Sequence, residues 1–462
     1  MKTVGRRWTA AVVMVCVALA TVASSAWAAK PLRATWMPGF VAAGTPAKYN
    51  EVGVIKVGQR SAKNVLVLVP GTSGGGAYFV PLAQWLVSKL PNWQVWSVER
   101  RENLLEDQSV FNLAKKGQAS NTRVFNYYLG WLTDHSIKHH IHAVPDSSVP
   151  FARKWGLNVA VQDLHRVIKA ARKLGGEVVL GGHSLGGSVV TAYATWNFSG
   201  RAGAADLAGL VYDDGASYKQ PVSAHDARQE LQTLHKSTPW LAFSGIPAPY
   251  LGLFSTSGSL GALLDPKAPS IGQTFPLLPS TLKPPVRVTN LAIFGYDVDP
   301  KTSQLVFASQ ANVGQLNRAV KPAGWSRAGA ITPVRRYATM LSGLGVNDAD
   351  GSEWYFPQRL TDDTGAVGNG IANPAQKILH VHATMGRHLP HGLLIYAFGA
   401  YGGKLILKAT TALAKQSQIP RPNLTLVNRK STYAHNDPAA AYPKNAFFKH
   451  LVRFLRKVAA LR

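Results

Sequence analysis

The chain has 462 residues, 46% apolar and 16% charged, which suits one large domain with a substantial core and excludes a disordered chain. Its formal charge of +27 favours anionic surfaces such as an acidic envelope or a membrane surface, although solubility or an acidic medium is the simpler account. No nucleic-acid motif or basic-aromatic module accompanies that charge, so nucleic acid is set aside as a partner.

The chain opens with Lys2, Arg6 and Arg7, then the apolar run "WTAAVVMVCVALATVA", then Ala26-Trp27-Ala28. A charged start, an apolar middle and a small-x-small end are the order of a secretory signal peptide, here residues 1–28. This places the remainder in a secreted or periplasmic setting; a start-anchored membrane helix is the alternative. "GRRW" touches the twin-arginine pattern without completing it. Loss of those three cations would lower the charge to +24. The only cysteine, Cys16, lies in this segment, so the mature chain has no disulfide, thiol nucleophile or thiolate metal site.

"YNEVGVIKVGQ" reads as edge strands. "NVLVLV" is a buried parallel strand running into the Gly-rich turn "PGTSGGG", and "YFVPLAQWLVSKL" has helical spacing. "WQVWSVER" is a strand, residues 157–174 an amphipathic helix, "GGEVVLGG" a strand, "SLGGSVVTAYATWNF" a helix and "LAGLVYDD" a strand. Alternation then lapses over residues 218–391, which are rich in Pro, Gly and Ser. It resumes with "GLLIYAFGA", "GGKLILKATTALAKQ", "NLTLVNR" and a final amphipathic helix. The order is that of an α/β fold around a mostly parallel sheet. Residues 29–217 and 392–462 form the sheet domain, and 218–391 are a cap or lid insertion, too long and apolar for a plain loop. Residues 101–155 are a smaller excursion at the same edge.

Ligands of such sheets lie beyond the carboxyl ends of the strands. "PGTSGGG", "VERRENLLED", "GGHSLGG" and "VYDDGAS" all fall there and should converge. Within them, Gly182-His183-Ser184-Leu185-Gly186 matches G-x-S-x-G between a strand and a helix. This elbow requires a sharp strained turn that lifts Ser184 clear of the backbone. Gly182 and Gly186 remove side chains that would clash across it. The following helix points its N-terminus, with its backbone N–H groups, at the site.

In this setting the sequence resembles the α/β-hydrolase superfamily, in its secreted bacterial lipase and esterase branch, by order of elements across most of the chain outside the cap. The resemblance implies an oxyanion hole from the backbone N–H groups of Thr72, with Ser73 as the alternative, and of Leu185. It implies a base just after the last strand, where "HNDP" supplies His435. The usual place for the acid, after "LLIYAFGAYGG", has no Asp or Glu. Some lipases of the superfamily take it one strand earlier, where "VYDDG" offers Asp214 and, as runner-up, Asp213. A rival pair, Asp297 and Asp299, follows the strand-like run "NLAIFGYDVDP".

Other clusters carry less. His135 and His139, among Asp134, His140 and His142, have one-turn spacing that could grip zinc on a helix, but no Glu stands beside His135 and the metalloprotease pattern fails. No metal and no cofactor is expected. The charges from Glu99 to Asp107 read as a salt-bridge network, or as an Arg facing a substrate carboxylate. Trp354, Tyr355 and Phe356 are either cap core or the lining of an acyl pocket. The expectation is a secreted serine hydrolase forming an acyl-enzyme from a small-molecule, lipid or polymer ester. The same triad would serve a peptidase, an amidase or an acyltransferase, and a non-catalytic envelope-binding protein on a hydrolase fold is the alternative of another class.

Overall fold

The computed structural model describes residues 31–218, 220–304 and 309–461, so the signal-peptide segment lies outside the described residues. Nine strands form one sheet: β1 (Leu32–Pro38), β2 (Glu51–Val57), β3 (Asn64–Val69), β4 (Trp93–Glu99), β5 (Val178–His183), β6 (Gly209–Asp213), β7 (Val346–Asn347), β8 (Leu394–Gly399) and β9 (Leu424–Asn428). Their spatial order is β7-β1-β2-β4-β3-β5-β6-β8-β9. Only β2 runs against its neighbours; every other pairing is parallel. "YNEVGVIKVGQ" is therefore not at the edge: β2 is bonded to β1 on one side and β4 on the other, and its apolar residues are covered.

The helices named below are α1 (Val80–Lys89), α2 (Leu157–Arg172), α3 (Leu185–Thr195), α4 (Tyr250–Leu264), α5 (Asn290–Val298), α6 (Val334–Ser342), α7 (Lys404–Gln416) and α8 (Ala446–Ala459). The two-residue period of β3 decides how they are layered. Val65, Val67 and Val69 face α2, α3 and α7, while Leu66 and Leu68 face α1, α6 and α8. Strands covered on both faces have no polar side, which explains the unbroken apolar runs. α2 shows the complementary pattern, burying Val159, Val161, Leu164, Val167, Ile168 and Ala171.

After β6 the chain leaves the sheet and builds a helical cap region before it returns as β8. Part of this excursion rejoins the body: β7 pairs with β1, and α6 packs into the same core as α1. The run "NLAIFGYDV" is helix α5, not a strand. A short apolar run is ambiguous between buried strand and buried helix, and here Thr289 caps it by accepting from the Ala292 N–H. His135 and His139 sit in turns and bends rather than on a helix, so their spacing does not place them on one face. Trp354, Tyr355 and Phe356 are buried in side-chain clusters. Among the described residues no helix is long and apolar enough to cross a membrane, and no group of three His, Cys, Asp or Glu is placed to hold a metal ion.

The arrangement is the α/β-hydrolase fold. Register aligns its working edge: Val69 pairs with Gly182, His183 with Asp213, Asp213 with Phe398, and Gly399 with Asn428. The turns that follow these strands therefore start side by side. Leu180, at the centre of β5 and fully buried, holds this register in the core. Leu180→Ala should cost about 2–5 kcal/mol of stability, read as a lower denaturant midpoint at unchanged slope.

Candidate active site

Ser184 closes β5 and opens α3, with φ 53° and ψ −126°. A non-glycine residue in that region is strained by an amount on the order of 1–3 kcal/mol. The surroundings enforce it. A Cβ on Gly182 would collide with the Gly186 backbone, and one on Gly186 with the carbonyl of Val69. The Ser184 N–H donates to the Asp213 carbonyl at 3.1 Å, and its own carbonyl accepts from the Gly187 N–H at 2.9 Å. Ser73 and Asp214, in the two neighbouring turns, also have positive φ.

The turn after β3 backs onto this serine: a Cβ on Gly71 would lie 2.8 Å from Ser184 Cβ. Among the described residues the N–H groups of Thr72, Ser73 and Leu185 have no acceptor. Arg100 holds the turn from below. It donates to the carbonyls of Pro70 and Gly71 at 3.3 Å each and of Gly74 at 2.8 Å, and its Nε donates to Glu353 Oε2 at 2.7 Å. The Glu353 N–H bonds the Ser73 carbonyl at 2.9 Å, and Glu99 accepts from the Gly76 N–H at 2.9 Å. The charges after β4 are thus the network reading made concrete. Arg101 likewise turns inward, to Asp163 at 2.7 Å.

His435 and Asp214 meet. Asp214 Oδ2 lies 2.6 Å from His435 Nδ1, and its Oδ1 accepts from the N–H groups of Ala400 at 2.7 Å and Gly402 at 2.9 Å. The adjacent Asp213 has a different fate. Its carboxyl is buried without a hydrogen-bond partner among the described residues, and burial, then the Asp214 charge, push it well above the carboxylate range. Asp299 is used locally, accepting from the N–H groups of Val313 and Gly314 at 3.0 Å each. Asp297 lines the cavity that Ser184 and His435 also line.

The loop carrying His435 is fixed by residues that sequence reasoning did not assign. His183 Nε2 donates to the His435 carbonyl at 3.0 Å, and the two rings lie 4.5 Å apart. Burial, then His435, hold His183 well below the usual imidazole range, so it is neutral. The Tyr78 hydroxyl donates to Asn436 at 2.9 Å. Asp437 accepts from the Ala434 N–H at 2.7 Å, the Asn312 N–H at 2.9 Å and the Thr332 hydroxyl at 2.6 Å. His183 lies inside the G-x-S-x-G signature and Asp437 inside "HNDP", both visible signals; Tyr78 had none.

Ser184 and His435 line one cavity of about 220 Å³. Its walls include Phe125 and Leu129 from the smaller excursion and Leu251, Phe254, Phe275 and Ile293 from the cap region. Trp354, Tyr355 and Phe356 do not reach it. The arrangement presents a hydroxyl on a strained turn, a carboxylate-oriented imidazole and unused N–H donors beside an apolar chamber.

No protein-family model matches the chain, and no curated sequence matches it. Among solved structures it is similar to a protein of Sulfolobus solfataricus assigned as a lipase, at 14% identity and TM-score 0.48, covering 91% of this chain and 93% of that one. It is also similar to a monoglyceride lipase of Saccharomyces cerevisiae, at 11% identity and TM-score 0.36, covering 88% and 91%. A third is the thioesterase domain from the curacin biosynthetic pathway, at 12% identity and TM-score 0.40, covering 92% and 99%.

Two outcomes follow from the buried charges. Arg100→Met leaves Glu353 buried and unpaired and should cost about 3–5 kcal/mol, seen as a lower melting temperature; an unchanged value refutes the clamp. Burial raises Asp437 to about 6 from an ordinary 3.8. The folded state therefore holds that proton more tightly than the unfolded chain, and this contribution is fullest below pH ~4 and gone above pH ~6, a change on the order of 3 kcal/mol. The stability gap between the native protein and Asp437→Asn should shrink as pH rises through that window in denaturant titrations.

Proposed function

We propose that this protein is a serine hydrolase that cleaves carboxylic esters through Ser184, His435 and Asp214. The observation that carries the reading is the 2.6 Å contact between Asp214 and His435, with His435 lining the same cavity as the strained Ser184. The Ser184 hydroxyl attacks the ester carbonyl carbon while its proton passes to His435. The carbonyl π-electrons move onto oxygen, where the N–H groups of Thr72 and Leu185, with Ser73 as the alternative to Thr72, receive the developing charge. Collapse expels the alkoxide, which takes the proton from His435 and leaves as an alcohol. Water then attacks the acyl-enzyme with His435 again as base, and the acid departs with Ser184 restored. Asp214 keeps Nδ1 protonated and stabilises the imidazolium.

Leu251, Phe254, Phe275 and Ile293 of the insertion form apolar wall beside Ser184, which supports an apolar acyl group. The charged-apolar-small order of residues 1–28 supports export to a secreted or periplasmic setting. The charge of +24 left without those residues supports association with an anionic envelope or membrane surface there.

A fluorophosphonate probe should label the protein, and Ser184→Ala should abolish labelling. Absence of labelling on well-folded protein overturns the reading. With a soluble aryl ester, Asp214→Asn should lower kcat by about 10⁴, the scale of the same change in a serine protease triad, whereas Asp213→Asn should keep most of it. The reverse order would move the acid to Asp213.

A further inference from the structure

The charges after β4 are unevenly matched. Glu99, Glu102 and Glu353 lie buried around the Arg100 guanidinium. Arg101 is already engaged: it bonds both oxygens of Asp163 and donates to the Phe40 carbonyl at 2.9 Å. Lys115 lies beyond Glu99, where it faces Glu106, Asp348 and Asp350. The space beside Glu102 is walled by β2, β3, β4, α2 and α3, and among the described residues its other charged lining is Arg100, Arg101 and Asp163. One guanidinium therefore faces three carboxyls away from water. A buried carboxyl without a compensating charge keeps its proton instead.

Bonding partners decide which carboxyl is charged. Glu353 accepts from two nitrogens of Arg100, Nε at 2.7 Å and Nη2. Glu99 accepts from the Gly76 N–H at 2.9 Å. Glu102 bonds its own backbone N–H and the side chain of Glu353. Two carboxyl groups bond each other only when one has a proton to donate. Glu353 sits on the guanidinium and is the acceptor, so Glu102 is the donor. That proton also answers two buried oxygens, Glu102 Oε2 and Glu353 Oε1, which receive no other N–H or O–H among the described residues. Burial, then Glu353, hold Glu102 well above the ordinary carboxylate range, in agreement.

The pair reaches the serine through a short chain of contacts. Arg100 bonds the carbonyls of Pro70, Gly71 and Gly74, on either side of Thr72 and Ser73. The Glu353 N–H bonds the Ser73 carbonyl. A second negative charge at Glu102 would repel Glu353 and compete with it for Arg100. Both effects would loosen the turn that offers its N–H groups to the oxyanion. We propose that Glu102 is a positioning residue: as a neutral acid it donates to Glu353 and keeps Arg100 on the turn of Thr72, and loss of its proton at alkaline pH slackens that turn and lowers turnover. The proposal rests on the hydrolase reading above.

The test is the pH profile of kcat for a soluble aryl ester, in the native protein and in Glu102→Gln, with active sites counted by fluorophosphonate labelling. The glutamine amide still donates to Glu353 but cannot ionise. Both proteins should share the acid limb set by His435, and only the native protein should show an alkaline limb. The variant-to-native ratio of kcat should therefore rise by about tenfold or more between pH ~7 and pH ~10, with little change in KM. A native profile without an alkaline limb overturns the proposal, whether or not the variant folds. So does a labelled variant whose ratio to the native rate stays constant across that range. Failure of labelling is a different result, because it removes the hydrolase reading itself. The Glu102 proton is then tested alone by denaturant titration. The variant should gain stability relative to the native protein as pH rises, and a constant difference refutes the proton.

Discussion

The backbone of Ser184 is the constraint from which the rest of the edge follows. A serine at φ 53° is held only where neighbours leave no alternative. Here the strand before it and the helix after it approach so closely that Gly182 and Gly186 tolerate no Cβ, and Gly215 tolerates none against Ser184 itself. The Ser184 N–H is spent on the Asp213 carbonyl. That bond ties the end of β5 to the end of β6, so the first residue beyond β6 is delivered next to the serine. Asp214 occupies that place, and its positive φ turns the chain away from the sheet.

Two adjacent aspartates then meet different partners, because Asp213 still lies in the strand whereas Asp214, at positive φ, has left it. Asp214 receives two backbone N–H groups and the imidazole. Asp213 receives none and is held neutral by burial. The same economy recurs around the turn after β3. Arg100 satisfies three carbonyls and a carboxylate at once, which turns a flexible Gly-rich segment into a shaped one. A buried ion pair is poor evidence of added stability, but it specifies geometry, and its loss leaves a charge without solvent.

The cap region adds the second medium. Its aromatic and aliphatic side chains place the serine beside a chamber where electrostatic interactions are stronger than in water. The neutral His183 fixes the loop of His435 from one side, while Tyr78 and Asp437 fix it from others. Asp297 is the one carboxyl among the described residues of that lining.

The residues by themselves determined much of this. Unbroken apolar runs in β3 and β5 announced strands covered on both faces. The 3.6-residue period of α2 announced its buried stripe, and the glycines around Ser184 announced the elbow between strand and helix. These are local signals, written in spacing and in steric need. Tertiary structure decided the remainder. "NLAIFGYDV" is a helix because its surroundings and the Thr289 cap selected one of two conformations that its composition allows. The strand at "YNEVGVIKVGQ" is interior because β1 and β7 extend the sheet beyond it. Trp354, Tyr355 and Phe356 became core rather than pocket lining through contacts with distant elements. The partner of His435 was beyond local reading for the same reason. It lies 221 residues away, and which of two neighbouring carboxylates faces the imidazole depends on side-chain direction at a strand end, a property of the assembled sheet.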